Sequence, residues 1–159
     1  MSNLISVNKK IKGFNDKIIV PGDKSLSIRW VLLASLANGV SKAKNLLISE
    51  DVLAAINAIK KLGIRTIIKK NECKIYGKGF NGYKYVKNLT INAENSGTLG
   101  RLILGFLVNS PYPIKIIGDK SLSKRDFKRI SDPLSKFGVK FKLRKNKFLP
   151  LKIYSSSKL

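Results

Sequence analysis

The 159-residue sequence predicts an α+β fold assembled from repeated helix, strand, helix, strand, strand units. Three observations predict it. Apolar residues alternate between helical and extended spacing along the chain. Gly, Pro and Asn punctuate the changes. The same succession of elements returns about 75 residues later with shared letters in register.

Two β-like pieces come first, Ile5 to Ile11 and Lys17 to Val20, closed by Pro21-Gly22. From Asp23 the pattern becomes helical: Leu26, Trp30, Leu33 and Ala37 mark an apolar stripe, and Asn38-Gly39 reads as its C-cap. A strand over Val40 to Leu47 follows. Ser49-Glu50-Asp51 then opens a second helix with Leu53, Ile56, Ile59 and Leu62 at helical spacing, stopped by Gly63. Ile64 to Ile68 and Lys74 to Tyr76 form a hairpin around Lys70-Asn71-Glu72, and a Gly-rich connection, Gly77 to Gly82, ends this unit. The second unit has a strand at Leu89 to Ala93, a helix from Ser96 to about Val108 and a strand at Pro113 to Ile117. A helix over Asp126 to Phe137, stopped by Gly138, and a hairpin of Val139 to Leu143 with Leu151 to Tyr154 complete it.

The repeat is visible in the letters themselves. Lys61-Leu62-Gly63-Ile64-Arg65 matches Lys136-Phe137-Gly138-Val139-Lys140; Lys70-Asn71 matches Lys145-Asn146; Lys74-Ile75-Tyr76 matches Lys152-Ile153-Tyr154. Residues 1–20 are read as initial strands, 21–80 as the first unit and about 88–155 as the second. Such units pack helices together and turn sheets outward, and a closed arrangement calls for a third. The chain is therefore expected to be truncated.

Composition excludes several chemistries. There is no His and a single Cys, Cys73, so a disulfide scaffold, a His/Cys zinc site and a His-based triad are ruled out. With 32 Lys+Arg against 9 Asp+Glu the net charge is +23, spread along every segment. Lysine-rich composition filling solvated faces and an anionic partner both account for that charge, and composition does not choose between them. The N-terminus lacks a signal or transit pattern and the apolar runs Trp30 to Ala37 and Leu102 to Val108 are too short to span a bilayer, so a soluble, cytoplasmic protein is expected.

Three clusters carry chemistry. Pro21-Gly22-Asp23-Lys24-Ser25-Leu26-Ser27-Ile28-Arg29 delivers a turn into a helix start, whose free N–H groups attract an anion. Ser25 and Arg29 share one face there, with Lys24 at the threshold. Glu94-Asn95-Ser96-Gly97-Thr98-Leu99-Gly100-Arg101 repeats the device: Gly97 admits a ligand close to the backbone, and Thr98 with Arg101 forms a hydroxyl-plus-guanidinium face. Gly118-Asp119-Lys120-Ser121-Leu122-Ser123-Lys124-Arg125 puts Arg125 in a loop suited to a carboxylate or phosphate. Helix capping and solvated basic loops are the plainer alternatives for each cluster.

These motifs, together with Asn45 to Val52, closely resemble in order and spacing the N-terminal part of the 5-enolpyruvylshikimate-3-phosphate synthase family, also called 3-phosphoshikimate 1-carboxyvinyltransferase. The resemblance covers essentially the whole chain. It implies an EPT/RNA 3'-cyclase-like, inside-out α/β lobe of repeated βαβαββ units, about two of three units of one lobe being present. It also implies transfer of the enolpyruvyl group of phosphoenolpyruvate to the 5-hydroxyl of shikimate 3-phosphate with release of phosphate, without metal or organic cofactor.

By position, Lys24 matches the catalytic lysine that touches both substrates, Ser25 and Arg29 match shikimate 3-phosphate contacts, and Gly97 with Arg125 match phosphoenolpyruvate contacts; Thr98 and Arg101 support them. The resemblance further implies a C-terminal lobe as partner, which the initial strands would join, a monomer when full length, and neither nucleic acid nor membrane as partner. Two positions depart from the family pattern: Glu94 stands where Gly is usual, and Asp126 where Pro is usual. Alone, the chain is expected to bind weakly and turn over little. The competing readings are a basic nucleic-acid-binding module and a non-catalytic remnant that pairs with another chain.

Overall fold

The first helix forms where Asp23 can cap it. In the computed structural model, which describes residues 6, 8–10, 13, 15–70 and 72–156, the Asp23 carboxylate accepts the Leu26 N–H at 2.7 Å, and α1 runs Lys24–Leu36. β1 (Asn38–Ala43), α2 (Glu50–Lys61), β2 (Arg65–Lys69) and β3 (Glu72–Lys78) complete the first unit. The second comprises β4 (Thr90–Asn92), α3 (Gly97–Phe106), β5 (Ile114–Ile117), α4 (Lys128–Lys136), β6 (Lys140–Arg144) and β7 (Phe148–Tyr154), with a 3-10 turn at Leu122–Lys124.

The two units share turn geometry where their letters agree. Gly63 and Gly138 stop α2 and α4 at φ +81° and +85°, a region that costs a side chain dearly. Lys70 and Lys145 both turn at positive φ, 52° and 48°, and Asn146 follows at 60°, so consecutive left-handed residues close the β6–β7 hairpin.

Among the described residues the strands form two sheets. The first has order β1-β3-β2, antiparallel throughout; the second has order β4-β5-β7-β6, with β4 parallel to β5 and the other pairs antiparallel. Helices α1, α2 and α3 pack on one another and on the inner sheet faces. One continuous core results, joining Ile28 and Leu32 of α1, Ile56 and Ile59 of α2, and Leu99 and Ile103 of α3 to Ile75, Ile91, Ile116 and Leu151 of the sheets. Tyr83 fastens the Gly-rich connection to α1. Its hydroxyl lies 2.6 Å from Ser35 Oγ, and burial pushes its pKa up to about 12.

Four expectations need correction. The apolar stripe of α1 is rotated: Leu26 and Leu33 are 66% and 62% exposed, while Ile28, Val31, Leu32 and Ser35 face the core. Apolar residues surround this helix, so spacing alone did not single out the packed side. Asn38 and Gly39 begin β1 instead of capping α1, and β1 stops at Ala43, short of Leu47. Lys17 to Val20 is extended chain without strand pairing among the described residues, with Ile18, Ile19 and Val20 exposed. The proposed strand over Ile5 to Ile11 lies partly outside the described residues, and Ser6 and Asn8 to Lys10 are not in a strand. Among the described residues, no helix is long and apolar enough to cross a membrane.

Candidate active site

The start of α3 gathers more chemistry than any other point in the chain. Ser96 caps the helix, its Oγ accepting the Leu99 N–H at 3.2 Å, which leaves Gly97 as the first helical residue with its N–H outside the helical ladder. A Cβ on Gly97 would lie 2.9 Å from Arg101 Nη1 and 3.0 Å from Arg125 Nη1. Two consequences follow. Any side chain there would displace both guanidiniums, and the guanidiniums themselves lie within about 6 Å of each other. Two like charges at that distance repel by about 0.7 kcal/mol in water and more where water is excluded. An anion placed between them removes that repulsion.

Each guanidinium is held from behind. Arg125 Nη2 donates to Asn95 Oδ1 at 3.0 Å, and Asn95 Nδ2 donates to Asp119 Oδ2 at 2.6 Å. The Leu122 N–H, bonded at 2.6 Å, is the main cause that holds the Asp119 carboxyl below the usual 3.8; Asn95, the Ser121 N–H and the Arg125 charge add to it. Arg101 Nη2 donates to the Asp126 carbonyl at 3.3 Å, its guanidinium carbon sits 5.4 Å from the Phe127 ring centre, and its Nε is shielded from solvent with no partner among the described residues. The Asp126 carboxylate accepts the Lys128 N–H at 2.7 Å.

The start of α1 is different. Lys24 is half exposed and its Nζ pairs with Asp51 Oδ2 at 2.9 Å, the one ion pair within 4.0 Å among the described residues. Ser25 is half-buried and Arg29 exposed on the same helix. Glu50, beside Asp51, lines a cleft of about 740 Å³ together with Glu94, which precedes the α3 start by three residues. The Lys24–Asp51 pair joins the starts of α1 and α2, and the cleft along α2 reaches Glu94 before α3. Gly97, Thr98, Arg101 and Arg125 form one cluster and Lys24, Ser25 and Arg29 a second. The clefts of about 200 to 740 Å³ described for the surface are lined by neither.

Glu94 explains its own departure from pattern. Its φ is +48°, so the backbone adopts the left-handed region that Gly enters freely. Asn92 compensates by accepting the Glu94 N–H at 3.0 Å and donating to Glu94 Oε1 at 2.6 Å. The sequence reading assigned no role to Asn95, Asp119 or Asp51. An Asp three residues before Leu122, in Asp-Lys-Ser-Leu, signalled a capped turn, yet nothing in the spacing placed it beside Asn95.

Comparison with known proteins decides the family. The sequence model for EPSP synthase (3-phosphoshikimate 1-carboxyvinyltransferase) matches residues 8–159. The chain belongs to the EPSP synthase family. It is 41% identical over 157 residues to the 3-phosphoshikimate 1-carboxyvinyltransferase of Caldicellulosiruptor bescii, covering 96% of this chain and 36% of that protein. For the enzyme of the same name from Bacillus cytotoxicus the identity is 40% over 146 residues, covering 91% and 34%. The EPSP synthase structure from Acinetobacter baumannii superposes with TM-score 0.83 at 33% identity, over 89% of this chain and 32% of that one. The chain therefore spans about a third of the length of these relatives. The likeness extends through the α/β repeats and covers part of a lobe.

Proposed function

We propose that this chain contributes one wall of an enolpyruvyl transferase site, in which the 5-hydroxyl of shikimate 3-phosphate adds to C2 of phosphoenolpyruvate. The new C–O bond gives a tetrahedral intermediate, and cleavage of the C–O bond to phosphate then releases the enolpyruvyl ether and inorganic phosphate. The convergence of Arg101 and Arg125 on Gly97 carries this reading, because two guanidiniums beside a helix start make a seat for a phosphate or carboxylate. Gly97, Arg125 and, in support, Thr98 and Arg101 hold phosphoenolpyruvate; Ser25 and Arg29 hold shikimate 3-phosphate; Lys24 reaches both and stabilises the charge that develops in transfer. Lys24 must exchange Asp51 for substrate to do so.

The same reading includes domain organisation. Residues 1–20 belong with a second lobe, and units at about 21–80 and 88–155 form two thirds of the first. A third unit covers the exposed Leu26 and Leu33 of α1. The whole protein is a cytoplasmic monomer, and this chain alone turns over little.

The test is complementation. This chain is mixed with the remaining two thirds of the Caldicellulosiruptor bescii relative, and phosphate release from phosphoenolpyruvate is followed with and without shikimate 3-phosphate. Release that requires shikimate 3-phosphate and falls at least about 100-fold with Lys24→Ala supports the reading. A rate that Lys24→Ala leaves within a few-fold removes the site assignment.

A further inference from the structure

We propose that, against the expectation drawn from the family resemblance, the outer face of the four-stranded sheet binds single-stranded nucleic acid, independently of the helix-start site. Strand register places Lys115 opposite Lys152 and Lys152 opposite Lys142, with Thr90 opposite Lys115, so one row crosses all four strands. The three lysines are exposed. Like charges directly opposite one another weaken a sheet, and neither Asp nor Glu occurs in β4, β5, β6 or β7 to relieve them. The row spans about 14 Å at the usual strand spacing. On β7, Tyr154 projects to the same face two residues beyond Lys152 and stands opposite Lys140, extending the positive track.

The face is hollowed as well as charged. A cleft of about 450 Å³ holds Tyr112, Tyr154 and Lys87, whose Nζ lies 6.0 Å from the Tyr112 ring centre. A neighbouring cleft of about 270 Å³ shares Lys115, Lys152 and Tyr154 with it. Lysines tracking a backbone beside aromatic rings in hollows are the elements of a single-strand platform: phosphates meet the ammonium groups and bases stack on the rings. A lipid surface needs the charge alone and gains nothing from paired hollows, so the hollows favour a strand. The other sheet sets a contrast within the same molecule. It also opposes two lysines, Lys42 and Lys74, but carries Glu72 opposite Lys69.

The experiment is fluorescence anisotropy of a labelled oligouridylate of about 20 nucleotides with the 159-residue chain, at several salt concentrations. Neutralising three phosphates predicts a slope near −2 in log affinity against log salt. Lys115→Glu with Lys152→Glu is expected to weaken binding at least about 30-fold, and Lys42→Glu with Lys74→Glu less than about threefold. Tyr154→Leu is expected to cost about tenfold through lost stacking. Should the double charge reversal fail to fold by circular dichroism, Lys142→Gln alone still predicts a loss of about threefold. Equal losses from reversals on the two sheets, no effect of Tyr154→Leu, or binding to phosphatidylserine vesicles in place of the oligonucleotide would each overturn the proposal.

Discussion

In the second unit β4 lies parallel to β5 and completes a four-stranded sheet, while in the first unit, among the described residues, β1 has a partner on one side only and Lys17 to Val20 runs past as unpaired chain. The helices follow suit. α3 buries Leu99, Ile103 and Leu104 completely, whereas α1, with apolar residues all round, leaves Leu26 and Leu33 outside. Their starts differ too: two guanidiniums converge on Gly97, whereas Lys24 is already engaged by Asp51. One sequence pattern thus yields a finished environment in one place and an unfinished one in the other. What surrounds a repeat, and not its own letters, decides which of its faces is buried.

The largest effect expected from this contrast lies in α3. Leu104→Ala should destabilise the chain by about 2–5 kcal/mol in urea melts, while Leu33→Ala on the exposed side of α1 should stay within about 0.5 kcal/mol. A Leu33→Ala penalty of core size in this chain would show that the outer side of α1 is already covered and would abolish the contrast. Tyr83 gives the next effect, inside the first unit. Its raised pKa means that the neutral phenol is the folded form, so its contribution is complete below pH 10 and disappears as pH rises through about 12. That loss should amount to about 2–3 kcal/mol, and Tyr83→Phe should remove it from the alkaline melting curve.

Smaller effects probe the two helix starts. Arg125→Ala should lower phosphoenolpyruvate affinity about tenfold by calorimetry, and Asp51→Asn, by freeing Lys24, should raise shikimate 3-phosphate affinity several-fold. If both variants shift both ligands alike, the two starts form one undivided seat. The smallest effect belongs to Glu94→Gly, expected to stabilise by at most about 1 kcal/mol, since relief of the left-handed backbone is offset by loss of the Asn92 bond.

Much of the fold was legible because glycines and hairpin turns recur in register: Gly63 with Gly138 and Lys70 with Lys145 adopt the same backbone in both units. The packed side of α1 was not, since a helix apolar on every side carries no direction in its spacing. Of the candidate site, the α3 cluster was legible as residue types at a helix start. The pairing of Lys24 with Asp51 and the relay from Arg125 through Asn95 to Asp119 were not, because each joins residues 24 to 30 positions apart through tertiary contact.

The left-handed backbone at Glu94 has a genetic corollary. Either glutamate codon becomes a glycine codon by a single purine transition, so release from this conformation lies one replication error away. A random-mutagenesis library selected for soluble yield should return Glu94→Gly early and repeatedly, marking the residue as a point where heredity and stereochemistry pull in opposite directions.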